Sequence, residues 1–259
     1  MLAEYLNKIT LGNSVELLPF LPNGCVDLTV TSPPYDELRD YNGYCFDFPE
    51  MVGNLFRVTS DGGVVVWNVA DATVDGSETG TSFRQALGFM DAGFKLHDTM
   101  IWQKPNFSNP SRTRYHQVFE YMFVFSKGKP KTFNPIKDRP NKNAGNIGSY
   151  GTNTVTQKDG TKKIRDRKVV SEFGMRHNVW QMTTTGQDGS SKKYQHPAMF
   201  PLQFATDHIR SWSNEGDVVL DPFSGSGTTC VAAKNTGRKY IGFEISDEYW
   251  KTSISRLDE

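Results

Sequence analysis

The fold is decided by residues 218–229, which read VVLDPFSGSGTT. An apolar run, a glycine-rich turn and a helix-forming stretch follow one another, as in the first strand–helix turn of a nucleotide-binding sheet. Gly225 and Gly227 let the backbone approach a ligand without a clash from a Cβ atom. The N–H groups of the helix start at Thr228 and Thr229 can bind a carboxylate. The stretch therefore predicts a Rossmann-like α/β fold with a ligand at this turn.

The rest of the chain fits that fold. Glu244 ends the next predicted strand, 19 residues after Gly225, where an acid can accept ribose hydroxyls. Strands are predicted at 26–30, 64–69, 94–102, 121–125, 217–221 and 239–244, and helices at 14–21, 48–58, 83–90, 200–213, 228–235 and 249–257. Strands that alternate with helices indicate a mostly parallel sheet.

Three kinds of protein share a glycine-rich turn of this form. A Walker P-loop is excluded because neither Lys-Ser nor Lys-Thr follows the turn. A dinucleotide fold stays open, although Cys230 stands where its third small residue is usually Gly or Ala. The turn could also belong to a structural strand–helix unit, so the motif alone leaves cofactor binding open.

A second motif, Ser32-Pro33-Pro34-Tyr35, comes one residue after the predicted strand 26–30. Ligands of open α/β sheets bind outside the carboxyl ends of the strands. The Pro-Pro pair fixes the backbone and leaves its carbonyl free, Ser32 offers a hydroxyl acceptor, and Tyr35 offers a flat face. Together they can hold a planar, amino-bearing ring. The alternative is a turn that merely ends the strand, because proline cannot donate to a ladder.

Residues 127–168 differ in composition from the rest of the chain. They contain twelve Lys or Arg against three acids, which leaves a net charge of +9. Apolar residues are too sparse there to build a core, so the segment is interpreted as an insertion or a mobile loop region. Its cations could neutralise the phosphates of a nucleic acid, and its Asn, Gln and Arg side chains suit base edges. The alternative is a solvated loop.

Length and composition limit the class of protein. The 259 residues suffice for one large domain, and the formal net charge of zero points to no partner. The three cysteines form no C-x-x-C pair, which argues against a zinc site and a disulfide scaffold, so no metal is expected. No apolar run approaches the length of a membrane span, and no signal peptide is evident. We expect a soluble, cytoplasmic protein.

The two motifs together resemble the DNA amino-methyltransferases of the N6-adenine/N4-cytosine family. The catalytic motif comes first, a variable basic segment follows and the cofactor motif comes last, which resembles the family's beta-type arrangement. Four further stretches are similar to the family's pattern: GGVVVW at 62–67, IWQKPN at 101–106, HPAMFP at 196–201 and GRKYIGFE at 237–244. The resemblance implies one domain over residues 1–259, with a seven-stranded methyltransferase sheet and a target-recognition region inserted at 127–178. It also implies S-adenosylmethionine as cofactor and double-stranded DNA as partner.

The resemblance also implies a mechanism. Ser32 and the Pro33 carbonyl would accept the two hydrogens of an exocyclic amino group and direct its lone pair toward the sulfonium methyl. Tyr35 would stack on a base flipped out of the duplex, and Pro34 would complete the catalytic motif. The implied cofactor residues are Asp221, Pro222, Phe223, Ser224, Gly225, Ser226, Gly227, Thr228, Thr229 and Glu244, with His196 as a further candidate whose alternative is a loop hydrogen bond.

Some alternatives stay open at this point. Serine at position 32 goes more often with cytosine N4 in the family pattern, whereas adenine enzymes dominate this motif order, so adenine N6 is slightly preferred. RNA or protein substrates, and a regulator that binds cofactor and DNA without catalysis, are the other functions. Dimers are common in this arrangement, so a homodimer is possible, although no stretch of the sequence identifies an interface. A bacterial, archaeal or phage restriction–modification setting is typical, while a cognate nuclease is not readable from the sequence.

Overall fold

The computed structural model describes residues 2–34, 47–107, 110–147, 154–164, 169–185 and 199–259. They divide into two compact units, one of Met1–Asn134 with Asn178–Glu259 and one of Pro135–His177. In the described part of the chain, no helix is long and apolar enough to cross a membrane.

One large sheet organises the first unit. Its eight strands within the described residues are β1 (Lys8–Leu11), β2 (Val26–Thr31), β3 (Thr59–Val69), β4 (Lys95–Gln103), β5 (Phe119–Ser126), β6 (Val179–Gln181), β7 (Val218–Asp221) and β8 (Lys239–Glu244). They lie in the order β1-β8-β7-β2-β3-β5-β4-β6. Only β5 pairs antiparallel with its neighbours. The predicted α/β fold with a mostly parallel sheet is confirmed.

Besides a 3-10 helix at Leu18–Phe20, seven α-helices lie wholly in the described part of this unit. They are α1 (Leu2–Tyr5), α2 (Ser14–Leu17), α3 (Phe48–Val58), α4 (Thr81–Asp91), α5 (Leu202–Trp212), α6 (Thr228–Asn235) and α7 (Asp247–Asp258). The start of α3 follows from its sequence, because Asp47 accepts a hydrogen bond from the Glu50 N–H at 3.0 Å and a proline occupies the first turn. Its apolar face is buried against the sheet.

Alternation along the strands divides the core between two faces of the sheet. Trp67 of β3 packs edge-on against Phe89 of α4, with ring centroids 4.9 Å apart. Met122 of β5 lies opposite Asn68, the residue after Trp67, and contacts His208 of α5. Since successive side chains of a strand point to opposite faces, α4 and α5 cover opposite faces of the sheet.

The sequence patterns predicted six strands and the family resemblance implied seven, whereas the sheet has eight in the described residues; β1 and β6, at its two edges, are the strands that the patterns did not show. β1 has four residues and β6 has three, which is too short for a period-2 pattern to be recognised. Between β3 and α4, Thr73–Val74 pairs with Ser77–Glu78. Asp75 and Gly76 both have positive φ there, as a tight hairpin turn requires.

The unit Pro135–His177 contains short antiparallel pairs. Arg139–Pro140 pairs with Phe173–Gly174, and Thr154–Thr156 pairs with Lys162–Ile164. Arg176 donates to Asp138 from Nε at 2.8 Å and lowers the pKa of that carboxyl. Most of the described residues of the unit Pro135–His177 are exposed, in keeping with a composition poor in apolar side chains.

Candidate active site

The site lies where β2 and β7 run side by side and parallel. From β7 the chain passes through α6 to β8 on one side, and from β2 it passes through α3 to β3 on the other side. A crevice opens at the carboxyl ends of two neighbouring strands whose connections diverge in this way. Both predicted motifs follow these strands, so the fold brings them to one edge of the sheet.

Thr31, the last residue of β2, joins the two motifs. Its hydroxyl donates to Oδ1 of Asp221 at 2.7 Å, although the two residues lie 190 positions apart in the sequence. A second hydrogen bond joins the same two segments, because the Thr229 hydroxyl donates to the Val30 carbonyl at 3.0 Å. Sequence reasoning missed Thr31, because a threonine before a Ser-Pro-Pro turn looks like any β-branched strand residue.

Asp221 is the buried acid of the site. Only 2% of the residue is exposed, and its Oδ1 also accepts the Phe223 N–H at 3.1 Å. Burial raises its pKa to about 6, and the hydrogen bonds from Thr31 and Phe223 oppose that rise. Asp221 is therefore an anion at neutral pH that gains a proton in mildly acidic solution.

The glycine-rich turn has the conformation that its sequence requires. Gly225 and Gly227 have φ of 50° and 81°, in the left-handed region that favours glycine. A Cβ atom on Gly227 would lie 2.9 Å from Cβ of Ser253. Close packing of the turn against α7 therefore requires glycine at this position, in addition to any approach of a ligand.

Glu244 holds the turn from the end of β8. Its Oε2 accepts the Gly225 N–H at 2.6 Å, and its Oε1 accepts the Ser246 N–H at 2.8 Å. Burial raises the pKa of this carboxyl, and these backbone hydrogen bonds oppose the rise. The acid predicted to bind a ribose is thus also a structural clamp on the turn.

The turn after β1 reaches the same edge of the sheet. Leu11 lies beside Glu244 in the parallel register, and the Gly12 N–H donates to the Glu244 carbonyl at 2.8 Å. Asn13 then caps α2 by accepting the Val15 N–H at 3.0 Å. Sequence reasoning missed this third strand end because β1 itself was not predicted.

The catalytic motif is described only in part. Ser32, Pro33 and Pro34 directly follow β2; Pro33 is buried, and Ser32 and Pro34 are half-buried. Tyr35 and His196 lie outside the described residues. Met199, three residues after His196, meets the glycine-rich turn, where the Ser226 hydroxyl donates to its sulfur at 2.6 Å.

A polar cluster lies on the neighbouring strands at the same edge. Asn68 follows Trp67, the register partner of Thr31, and donates from Nδ2 to Oε2 of Glu120 at 2.6 Å. Lys104, directly after β4, forms an ion pair with the other oxygen of Glu120. Asn68 and Glu120 are buried. None of the three was predicted as a site residue, since each stands alone in a separate segment.

In the described residues, no cluster of three or more His, Cys, Asp or Glu could hold a metal ion. The donors that the site does offer are hydroxyls, carboxylates and backbone groups around a glycine-rich turn. A Ser-Pro-Pro strand end beside such a turn suits an α/β protein that binds a nucleoside-like cofactor.

Comparison with known proteins gives the family. Residues 26–255 match the model of the DNA methylase family of N6 and N4 methyltransferases, and the chain belongs to that family. It is 55% identical over 236 residues to the orphan methyltransferase M.BamHII of Bacillus amyloliquefaciens, which covers 90% of this chain and 88% of that protein. In an alignment of 292 positions it is 28% identical to the type II methyltransferase M.SmaI of Serratia marcescens, and the alignment covers 96% of this chain and 90% of that protein.

Solved structures share the fold. The PvuII DNA methyltransferase, described as cytosine-N4-specific, superposes with a TM-score of 0.68 at 24% identity, over 96% of this chain and 86% of that one. The complex of M1.HpyAVI with S-adenosylmethionine superposes with a TM-score of 0.66 at 24% identity, over 97% and 99%. The fold predicted from the sequence is therefore the fold of known DNA methyltransferases.

Proposed function

We propose that this chain transfers a methyl group from S-adenosylmethionine to the exocyclic amino nitrogen of a base flipped out of double-stranded DNA. Membership of the DNA methylase family supports the substrate class. The observation that carries the proposal is the hydrogen bond between Thr31 and Asp221, because it holds the end of the Ser-Pro-Pro strand beside the cofactor turn.

The residues at the turn fit S-adenosylmethionine. The helix α6 begins at Thr228 without a side-chain cap on Gly227, so its N-terminus suits the carboxylate of the methionine part. Glu244 ends the adjacent strand, where an acid suits ribose hydroxyls. The anionic Asp221 between them favours a cationic ligand. The bound cofactor supplies a methyl group on a positively charged sulfur.

The catalytic motif prepares the acceptor nitrogen. An aromatic amino group is a poor nucleophile because its lone pair is delocalised into the ring. The Ser32 hydroxyl and the Pro33 carbonyl are the acceptors that would bind its two hydrogens and localise the lone pair. The burial of Pro33 and the hydrogen bond from Thr31 fix the backbone that presents both acceptors, and Tyr35 is the proposed stacking partner of the base.

The basic segment supplies the proposed DNA contacts. In the unit Pro135–His177, Lys158, Lys162 and Lys163 are exposed on and beside the turn of an antiparallel hairpin. Asp159 fixes that turn by accepting the Thr161 hydroxyl at 2.7 Å. A two-stranded ribbon fits the major groove of DNA, where lysines contact phosphates and amide side chains read base edges.

The target base has two candidates. The slight preference for adenine N6 rests on how many adenine enzymes have this motif order, and on no residue of this chain. Ser32 is a property of this chain, and in the family pattern serine here goes more often with cytosine N4. Cytosine N4 is therefore the second candidate.

Transfer of radiolabelled methyl from S-adenosylmethionine tests the proposal, with duplex DNA, RNA and protein as separate acceptors. We expect label in duplex DNA only, and its loss when Pro34→Ala and Tyr35→Ala are combined. The matched control combines Pro19→Ala with Phe20→Ala, an exposed Pro-aromatic pair outside the site. Label in RNA or protein, or none in DNA, would overturn the proposal.

The family arrangement also leads us to propose a homodimer. Light scattering of the purified chain is expected to give the mass of two chains, and the mass of one chain at micromolar concentration would contradict it.

A further inference from the structure

The last helix contributes a buried arginine to the cofactor turn. Arg256 lies in the final turn of α7 and is only 9% exposed. Arginine is rarely buried unless its guanidinium has specific partners. Nothing in the family resemblance pointed to this residue, and α7 was predicted only as a closing helix.

The guanidinium contacts the glycine-rich turn directly. Its Nη1 lies 2.7 Å from the Ser226 carbonyl oxygen, 2.8 Å from the Ser226 hydroxyl and 3.0 Å from the Thr228 hydroxyl, so its two hydrogens are shared among these three acceptors. Nη1 also lies 3.8 Å from the sulfur of Met199, the residue to which Ser226 donates. One nitrogen therefore joins α7, the cofactor turn and the segment that leads into α5.

Glu244 and Arg256 hold the turn from two sides. Glu244 binds the Gly225 N–H, whereas Arg256 binds the carbonyl and hydroxyl groups of the next residues. A glycine-rich turn loses much conformational entropy when it is ordered, so anchors on consecutive residues reduce what a ligand has to order. The turn is thereby preorganised between an acid and a base from separate elements.

The charge of Arg256 also bears on the ligand. The N-terminus of α6 carries the positive end of the helix dipole, and a cation beside it is unfavourable on its own. Hydrogen bonds to Ser226 and Thr228 offset that cost. A ligand carboxylate at this helix start would be stabilised by the dipole and the guanidinium together.

We propose that Arg256 is a positioning residue, which holds the cofactor turn in its binding conformation and strengthens the positive field for the carboxylate of S-adenosylmethionine. This inference rests on the proposed cofactor. It predicts a loss of cofactor affinity, with DNA affinity unchanged, when the guanidinium is removed.

The test measures, by calorimetry, the binding of S-adenosylmethionine and S-adenosylhomocysteine to the unmodified chain and to Arg256→Met. The loss of hydrogen bonds to a charged group is expected to raise the Kd for the cofactor by about 10- to 100-fold in Arg256→Met. The KM for cofactor should rise more than kcat falls. Arg256→Lys should recover part of the affinity, and Arg256→Ala should recover part of it when millimolar guanidinium is added. The control is Lys251→Met, an exposed residue of the same helix.

The outcomes separate this inference from the proposed function. If the unmodified chain binds no S-adenosylmethionine, the proposed function fails. If it binds, and Arg256→Met melts at a lower temperature with an unchanged Kd, Arg256 is merely structural and the inference is wrong. If Arg256→Met does not fold, Arg256→Lys decides: cofactor affinity equal to that of the Lys251→Met control would overturn the inference.

Discussion

Replacing Thr31 by valine removes the hydroxyl that joins the two motifs while keeping the shape of the side chain. Thr31 is fully buried and donates at 2.7 Å to Asp221, whose pKa of about 6 makes it an anion at pH 8. A hydrogen bond to a charged group contributes roughly 1.5–3 kcal/mol, and one to a neutral group roughly 0.5–1.5 kcal/mol. We expect Thr31→Val to lower the free energy of unfolding by about 2 kcal/mol at pH 8 and by less at pH 5.

The same strand offers a matched control. Thr29 is also fully buried, and its hydroxyl has no hydrogen-bond partner within the described residues. Thr29→Val removes a buried polar group that nothing satisfies there, so it should leave stability unchanged or raise it. Urea denaturation of both variants at pH 8 and pH 5 gives the comparison. A cost of Thr31→Val no greater than that of Thr29→Val at pH 8 would refute the proposed link between the strand ends.

The charge of Asp221, the backbone at Gly227 and the lysines of the exposed hairpin can each be tested separately. Burial raises the pKa of Asp221 from 3.8 to about 6. The protonated carboxyl therefore stabilises the folded state relative to the unfolded state below pH 4, and this stabilisation is lost as pH rises through 6. Asp221→Asn should therefore remove about 3 kcal/mol of this pH dependence in urea denaturation, and an unchanged profile would contradict it. Gly227→Ala should destabilise by about 1–3 kcal/mol, since φ is 81° and Cβ would meet Ser253; a melting temperature equal to that of the unmodified chain would refute this. Lys162→Met with Lys163→Met should reduce the salt dependence of DNA binding, log Kd against log salt, by a slope of about 2, with cofactor affinity as the control.

Long or strongly patterned elements were predictable from the sequence. The glycine-rich turn fixed the order of β7, α6 and β8, and the predicted bounds of α6 and β8 match those observed. The apolar periodicity of α3 likewise gave its bounds. In these elements the local pattern and the tertiary contacts favour the same structure, so the pattern was sufficient.

Long-range contacts were not predictable in the same way. Thr31 and Asp221 become partners only because β2 and β7 are neighbours, and sheet order cannot be read from either segment alone. Arg256 was assigned no role from the sequence, because its burial depends on packing against the turn at Ser226. The glycine-rich turn was therefore predictable as a structural element, whereas the contacts of Thr31 and Arg256 with this motif were not.

Identification of the methylated nucleoside tests the central claim most directly. The chain would be incubated with S-adenosylmethionine and unmethylated genomic DNA, and the digested DNA would be analysed by mass spectrometry. We expect N6-methyladenine or N4-methylcytosine, either of which is a product of methyl transfer to an exocyclic amino group, and the one that is found decides the target base. A methyl group on a ring carbon, as in 5-methylcytosine, or the absence of any methylated base would contradict it.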